Sequence, residues 1–108
     1  MGWADAHIAG LKRGETVSFR PQGGSMLGKI NSGDLCTVVP LGDTVLKVGD
    51  IVLCQVGRNQ YPHLVVRVRA ENDGAFLDGH FQIGNARGGI NGWVLRSQIF
   101  GILKSVQA

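Results

Sequence analysis

The spacing of apolar residues changes once along the chain. Between Trp3 and Lys12, the residues Trp3, Ile8 and Leu11 recur at helical spacing, with His7 on the same side, so a short helix is predicted over 3–12 with Gly14 as its stop. From residue 15 onward the period becomes two, or the apolar runs become continuous but short. Residues 15–20 alternate, with Val17 and Phe19 on one face, and Pro21 ends the run. One helical or 3₁₀ turn is expected within 26–32, closed by the turn signal Ser32-Gly33-Asp34. Further strands are expected over 35–40, 45–48, 51–56, 63–69, 75–77, 80–83 and 97–103. Hairpin loops are read at 57–60 and 71–74, and 84–92 is read as a long Gly/Asn loop. The pattern predicts a short N-terminal helix or arm over 1–14. It is followed by one mainly β domain over 15–108, small, coiled and barrel-like.

Composition supports this and narrows the function. A chain of 108 residues is one domain, large enough to fold without disulfides. Its 17 glycines are about twice the usual share of about 7%, which fits many tight turns. The net charge of +3 comes from basic residues scattered along the chain, with no basic run, and this argues against a nucleic-acid partner. Cys36 and Cys54 sit in apolar runs and form neither a CxxC pair nor a metal spacing with His7, His63 or His80. They are expected to be buried, reduced thiols of a cytoplasmic protein. No apolar stretch is long enough for a membrane span, and the first 20 residues lack the core of a signal peptide. No cofactor motif is present: the 84–92 loop is not followed by the helix that a phosphate cradle needs.

The chemistry concentrates in 23–30. Gly23 and Gly24 set Ser25 on a sharp turn, with Met26 after it and Ile30 four residues further on. Downstream come Ser32-Gly33-Asp34-Leu35, Val48-Gly49-Asp50-Ile51-Val52, Val66-Arg67-Val68, Ile83-Gly84-Asn85-Ala86-Arg87, Asn91-Gly92-Trp93-Val94 and Ile99-Phe100-Gly101. In this order, over about residues 16–103, the set resembles the serine peptidase superfamily that holds LexA-type repressors, UmuD-type proteins and type I signal peptidases. The resemblance implies a coiled β domain of the LexA/signal-peptidase type. It places Ser25 as nucleophile and Gly24 and Met26 as the turn that binds the substrate carbonyl. A base-bearing strand would carry the general-base lysine at the position of Val66. Such a lysine, desolvated by apolar neighbours, takes the proton that a serine hydroxyl cannot shed unaided.

Val66 cannot accept a proton, and Gly28 stands where the family has a proline. Two substitute bases are on offer. His63 lies three residues before Val66, so a regular strand turns it to the opposite face; Lys29 lies close to Ser25 in sequence. Some relatives of signal peptidase use a histidine at the lysine position. Two readings follow. In the first, the domain keeps the serine turn but not the base, and binds a protein or peptide or forms a homodimer without catalysis. In the second, it is an active serine peptidase or self-peptidase, with His63 or Lys29 as base. A third reading is a structural or assembly protein that shares the fold. LexA-type relatives cut themselves at Ala-Gly, and Ala9-Gly10 is the one such step upstream of Ser25. Asp34, Asp50, Asn85 and Asn91 are read as turn and loop formers.

Overall fold

The computed structural model describes residues 2–69 and 80–108. A helix α1 (Asp5–Lys12) is followed by seven strands: β1 (Val17–Phe19), β2 (Leu35–Pro40), β3 (Ile51–Val56), β4 (Asn59–Val68), β5 (Phe81–Gly84), β6 (Ile90–Val94) and β7 (Ile99–Gln107). All pair antiparallel in one sheet of order β1-β2-β7-β3-β4-β5-β6. The fold is mainly β with one short helix. β1 and β6 end the strand order and do not pair, so the sheet is open and the expected barrel is not closed.

Both faces of the sheet are covered near its centre, which is why the central runs are continuously apolar. Leu53 and Leu64 belong to one cluster, with Ile8 and Leu11 of α1, Phe19, Met26 and Ile30. Their chain neighbours Val52, Cys54 and Val65 belong to a second, with Phe81, Ile83 and Val94. Successive strand residues thus feed opposite layers. Complete burial of Leu53 stabilises the fold by about 1.5–3 kcal/mol. Both cysteines are free and buried, and burial pushes the Cys54 thiol up to about 12.

Four boundaries differ from expectation. Residues 45–48 form no strand: Val45 and Val48 are exposed, Leu46 alone is buried, and turn hydrogen bonds run from Thr44 N to Leu41 O and from Asp50 N to Lys47 O. The 57–60 loop shrinks to a two-residue turn, and β4 starts at Asn59 and runs through Pro62. Pro62 is tolerated because this part of β4 pairs with β3 on one side, whereas β5 joins only at Leu64. The Gln60 carbonyl points away from β3, to the Trp3 indole. By the strand period, the N–H that Pro62 lacks would also have pointed away from β3. β6 begins at Ile90, inside the stretch read as loop, and β7 is preceded by a 3₁₀ turn, Arg96–Gln98, and continues to Gln107. The turn at 71–74 and the strand at 75–77 lie outside the described residues.

Candidate active site

Ser25 is exposed at the head of a tight turn. The turn is closed by Leu27 N on Gly24 O and by Lys29 N and Ile30 N on Met26 O. It is pinned by the buried side chains of Met26 and Ile30 and by Ser25 O, which accepts the Ala86 N–H at 2.9 Å. Gly28 has φ of +92°, a conformation closed to the proline of the family pattern, and its N–H donates to Asn31 Oδ1. The turn is therefore closed in a different way, not loosened. The N–H groups of Ser25 and Met26 have no partner among the described residues, and stand beside the hydroxyl.

Ser25 Oγ lies 3.1 Å from His63 Nε2, and His63 Nδ1 lies 2.7 Å from Asn91 Oδ1. An amide oxygen only accepts, so Nδ1 carries the proton and donates to Asn91, and Nε2 is left as the acceptor for the Ser25 O–H. His63 is 4% exposed and is the one polar residue of the buried set. Tyr61, two residues earlier on β4, stacks on its ring at 4.5 Å with an interplanar angle of 19°. Burial pushes the imidazole below its ordinary value of 6.5, and the hydrogen bond to Asn91 opposes this to a smaller extent. The ring is thus neutral, and a base, at neutral pH.

Two bulges flank this geometry, and the one on β6 sets it. Ile90 pairs with Gly84 and Gly92 with Ile83, so Asn91 is the extra residue of a bulge on β6. Gly92, at φ +146°, lets β6 pass close to β3: a Cβ there would lie 3.2 Å from Val56 Cγ1. Val65 pairs with Ile83 and Arg67 with Gln82, so Val66 is the extra residue of a second bulge. Its half-buried side chain packs on the cluster of Leu64 and Met26, and a Cβ on Gly84 would meet Val66 Cγ1 at 3.1 Å. His63 precedes that bulge and points to Ser25 without being re-aimed by it.

Of the residues proposed from sequence, Ser25 and His63 come together. Gly24 and Met26 shape the turn, Gly24 half-buried and Met26 buried. Lys29 is exposed, and its ammonium has no partner among the described residues. Val66 belongs to the packing. Asn91, expected as a loop former, is a strand residue at a bulge; its Asn-Gly step before Trp93 signals a turn and does not by itself signal a bulge. Asn85 does what was expected, accepting Arg87 N and Gly89 N on Oδ1. Ala9-Gly10 lies inside α1, with Gly10 buried against Val17, and is not the extended peptide that a serine attacks. Among the described residues, no three His, Cys, Asp or Glu side chains come together as metal ligands, and no helix is long and apolar enough to cross a membrane.

Compared with family models, curated proteins and solved structures, the chain has no match. Its chemistry rests on the geometry of the Ser25, His63 and Asn91 side chains.

Proposed function

We propose that the protein is a serine peptidase in which Ser25 is the nucleophile, His63 the general base and Asn91 the residue that holds the base. The reading is carried by one observation: a neutral, buried imidazole accepts from the Ser25 hydroxyl on one nitrogen while its other nitrogen is fixed by Asn91. It is the active alternative among the sequence-based expectations, with the base moved from the Val66 position to His63. The resemblance to LexA-type and signal-peptidase-type enzymes supports the peptide-bond substrate, since a serine–histidine pair alone fits any acyl transfer.

The steps follow from the atoms present. His63 Nε2 takes the Ser25 proton as Oγ bonds to the scissile carbonyl carbon. The carbonyl oxygen becomes an oxyanion beside the N–H groups of Ser25 and Met26. The imidazolium passes its proton to the amide nitrogen, and the C–N bond breaks to leave an acyl-serine. Water then attacks the ester carbon, giving one proton to His63, which returns it to Ser25 Oγ as the acid leaves. Asn91 keeps its hydrogen bond to Nδ1 throughout and, being neutral, orients the ring without adding charge.

An organophosphonate probe tests this without knowledge of the substrate. Intact-mass measurement should show one adduct per chain in the wild type and none in Ser25→Ala or His63→Ala. A folded wild type that takes no adduct at neutral to mildly alkaline pH refutes the proposal.

A further inference from the structure

The cleft that holds Ser25 and His63 is about 550 Å³ and extends well beyond them. Its far wall is aromatic and comes from two elements. The Trp3 and Phe19 rings meet edge to face at 5.2 Å, and His7 tilts against Phe19 at 5.1 Å. Met26 and Ile30, each 3% exposed, present apolar surface from the serine turn, and Pro62 lines the β4 side. Trp3 leaves 51% of its surface exposed, yet it is held in place. Its indole N–H donates to Gln60 O at 3.0 Å, and Ala4 N donates to Gln60 Oε1 at 2.9 Å. A large ring fixed by its polar edge, half exposed and lining a cleft, is arranged to receive an apolar group.

The charges around the cleft narrow the choice. Among the described residues no aspartate or glutamate lines it, so a lysine or arginine of a substrate would lose water there without gaining a counter-ion from them. Arg20 is the one fixed cation of the lining, and its Nη1 is held by Gly33 O at 2.8 Å.

We propose that the Trp3–His7–Phe19 wall is the specificity subsite of the cleft. It selects extended peptides with a bulky apolar side chain, phenylalanine or leucine, close to the bond attacked by Ser25. The proposal rests on the hydrolytic reading above for the attack, though not for the binding. The N-terminal segment is then part of the substrate site: α1 packs its buried face on the sheet and offers His7, and the turn before it offers Trp3.

The test separates the two claims. Ser25→Ala protein is titrated with acetylated hexapeptide amides of alanine carrying one Phe, Lys or no replacement, with the replacement walked through all six positions. Binding is followed by calorimetry and by the NMR signal of the Trp3 indole N–H. At one or two positions the Phe peptide should bind about tenfold or more tighter than the all-Ala and Lys peptides, the scale on which apolar pockets discriminate, and should shift the Trp3 signal. Adding Trp3→Leu, which changes a half-exposed residue, should bring Phe affinity down towards the all-Ala level. Equal binding of the three peptides, or tight Phe binding with an unmoved Trp3 signal, overturns the subsite. Phe binding in a protein whose wild type takes no phosphonate adduct supports the subsite and refutes the peptidase.

Discussion

Replacing Asn91 by aspartate tests the site most directly, because it adds one charge at a known distance from the base. The amide oxygen is 2.7 Å from His63 Nδ1. A carboxylate there would hold its charge about 4 Å from the centre of the imidazolium, an attraction of about 4 kcal/mol at an effective dielectric of about 20. Desolvating the new carboxylate cancels part of this. If about 2 kcal/mol survives, the His63 pKa rises above its wild-type position. In the wild type, burial holds the imidazole below 6.5, so its base function is lost only as pH falls below that value. In Asn91→Asp the acid limb of kcat/KM should move upward, and the plateau above it should rise about 30-fold, because the imidazolium formed in the transition state is stabilised by the same 2 kcal/mol. Stability carries the same sign. With its folded pKa lowered, wild-type His63 makes the fold less stable as pH falls through and below 6.5; a raised pKa in Asn91→Asp adds stability at acid pH that is lost as pH rises through the new value. The assay is an NMR titration of the His63 ring in Ser25→Ala protein, with and without Asn91→Asp, beside the pH profile of phosphonate labelling in proteins that keep Ser25. An unchanged His63 midpoint in a folded Asn91→Asp protein would refute the link between Asn91 and the base.

Three simpler substitutions separate site from scaffold. Val66→Lys forces an ammonium into the cluster around Leu64 and Met26 and should cost about 2–4 kcal/mol in urea unfolding, without faster labelling of Ser25. Lys29→Ala should leave both stability, within about 0.5 kcal/mol, and labelling rate as they are, since that side chain is exposed. Gly28→Pro, the residue of the family pattern, meets a backbone at φ +92° and removes the donor to Asn31; it should destabilise by about 3 kcal/mol or more and slow labelling.

Much of the fold was legible because local chemistry and packing agree. The 35–40 and 51–56 runs became β2 and β3 with the expected limits. Asp34 and Asp50 close their turns as expected, accepting Asn31 N and Lys47 N. The failures have one cause, since bulges and edges are not written in the apolar period. Pro62 reads as a strand break, but is harmless where one side of β4 is unpaired. The Arg67-Val68 pair points to Val66 as the base position, and nothing in the sequence marks the bulge that makes Val66 the extra residue of β4; the proposed base, His63, stands three residues earlier on the same strand. Asn91 stayed invisible for the same reason: an Asn-Gly step announces a turn, and only the pairing with β5 makes it a bulge.

The triad differs from a serine–histidine–aspartate site in where its charge resides. At rest Ser25, His63 and Asn91 are all neutral, and this suits a ring that is 4% exposed, because no ion then needs a partner in the core. The cost is deferred to the transition state, when an imidazolium and an oxyanion form together. In the proposed reaction the oxyanion forms at Ser25, which is exposed and whose own N–H and that of Met26 have no partner among the described residues. The imidazolium has no carboxylate, so its stabilisation falls to the Asn91 carbonyl at 2.7 Å and to the face of Tyr61 stacked at 4.5 Å. Tyr61 also lines the cleft with Trp3 and Phe19. A substrate that fills the cleft therefore packs against the ring that steadies the base and removes water from it, which strengthens each of these contacts when the charge appears. If the proposed peptidase reading holds, substrate fit and base strength are coupled through one aromatic side chain.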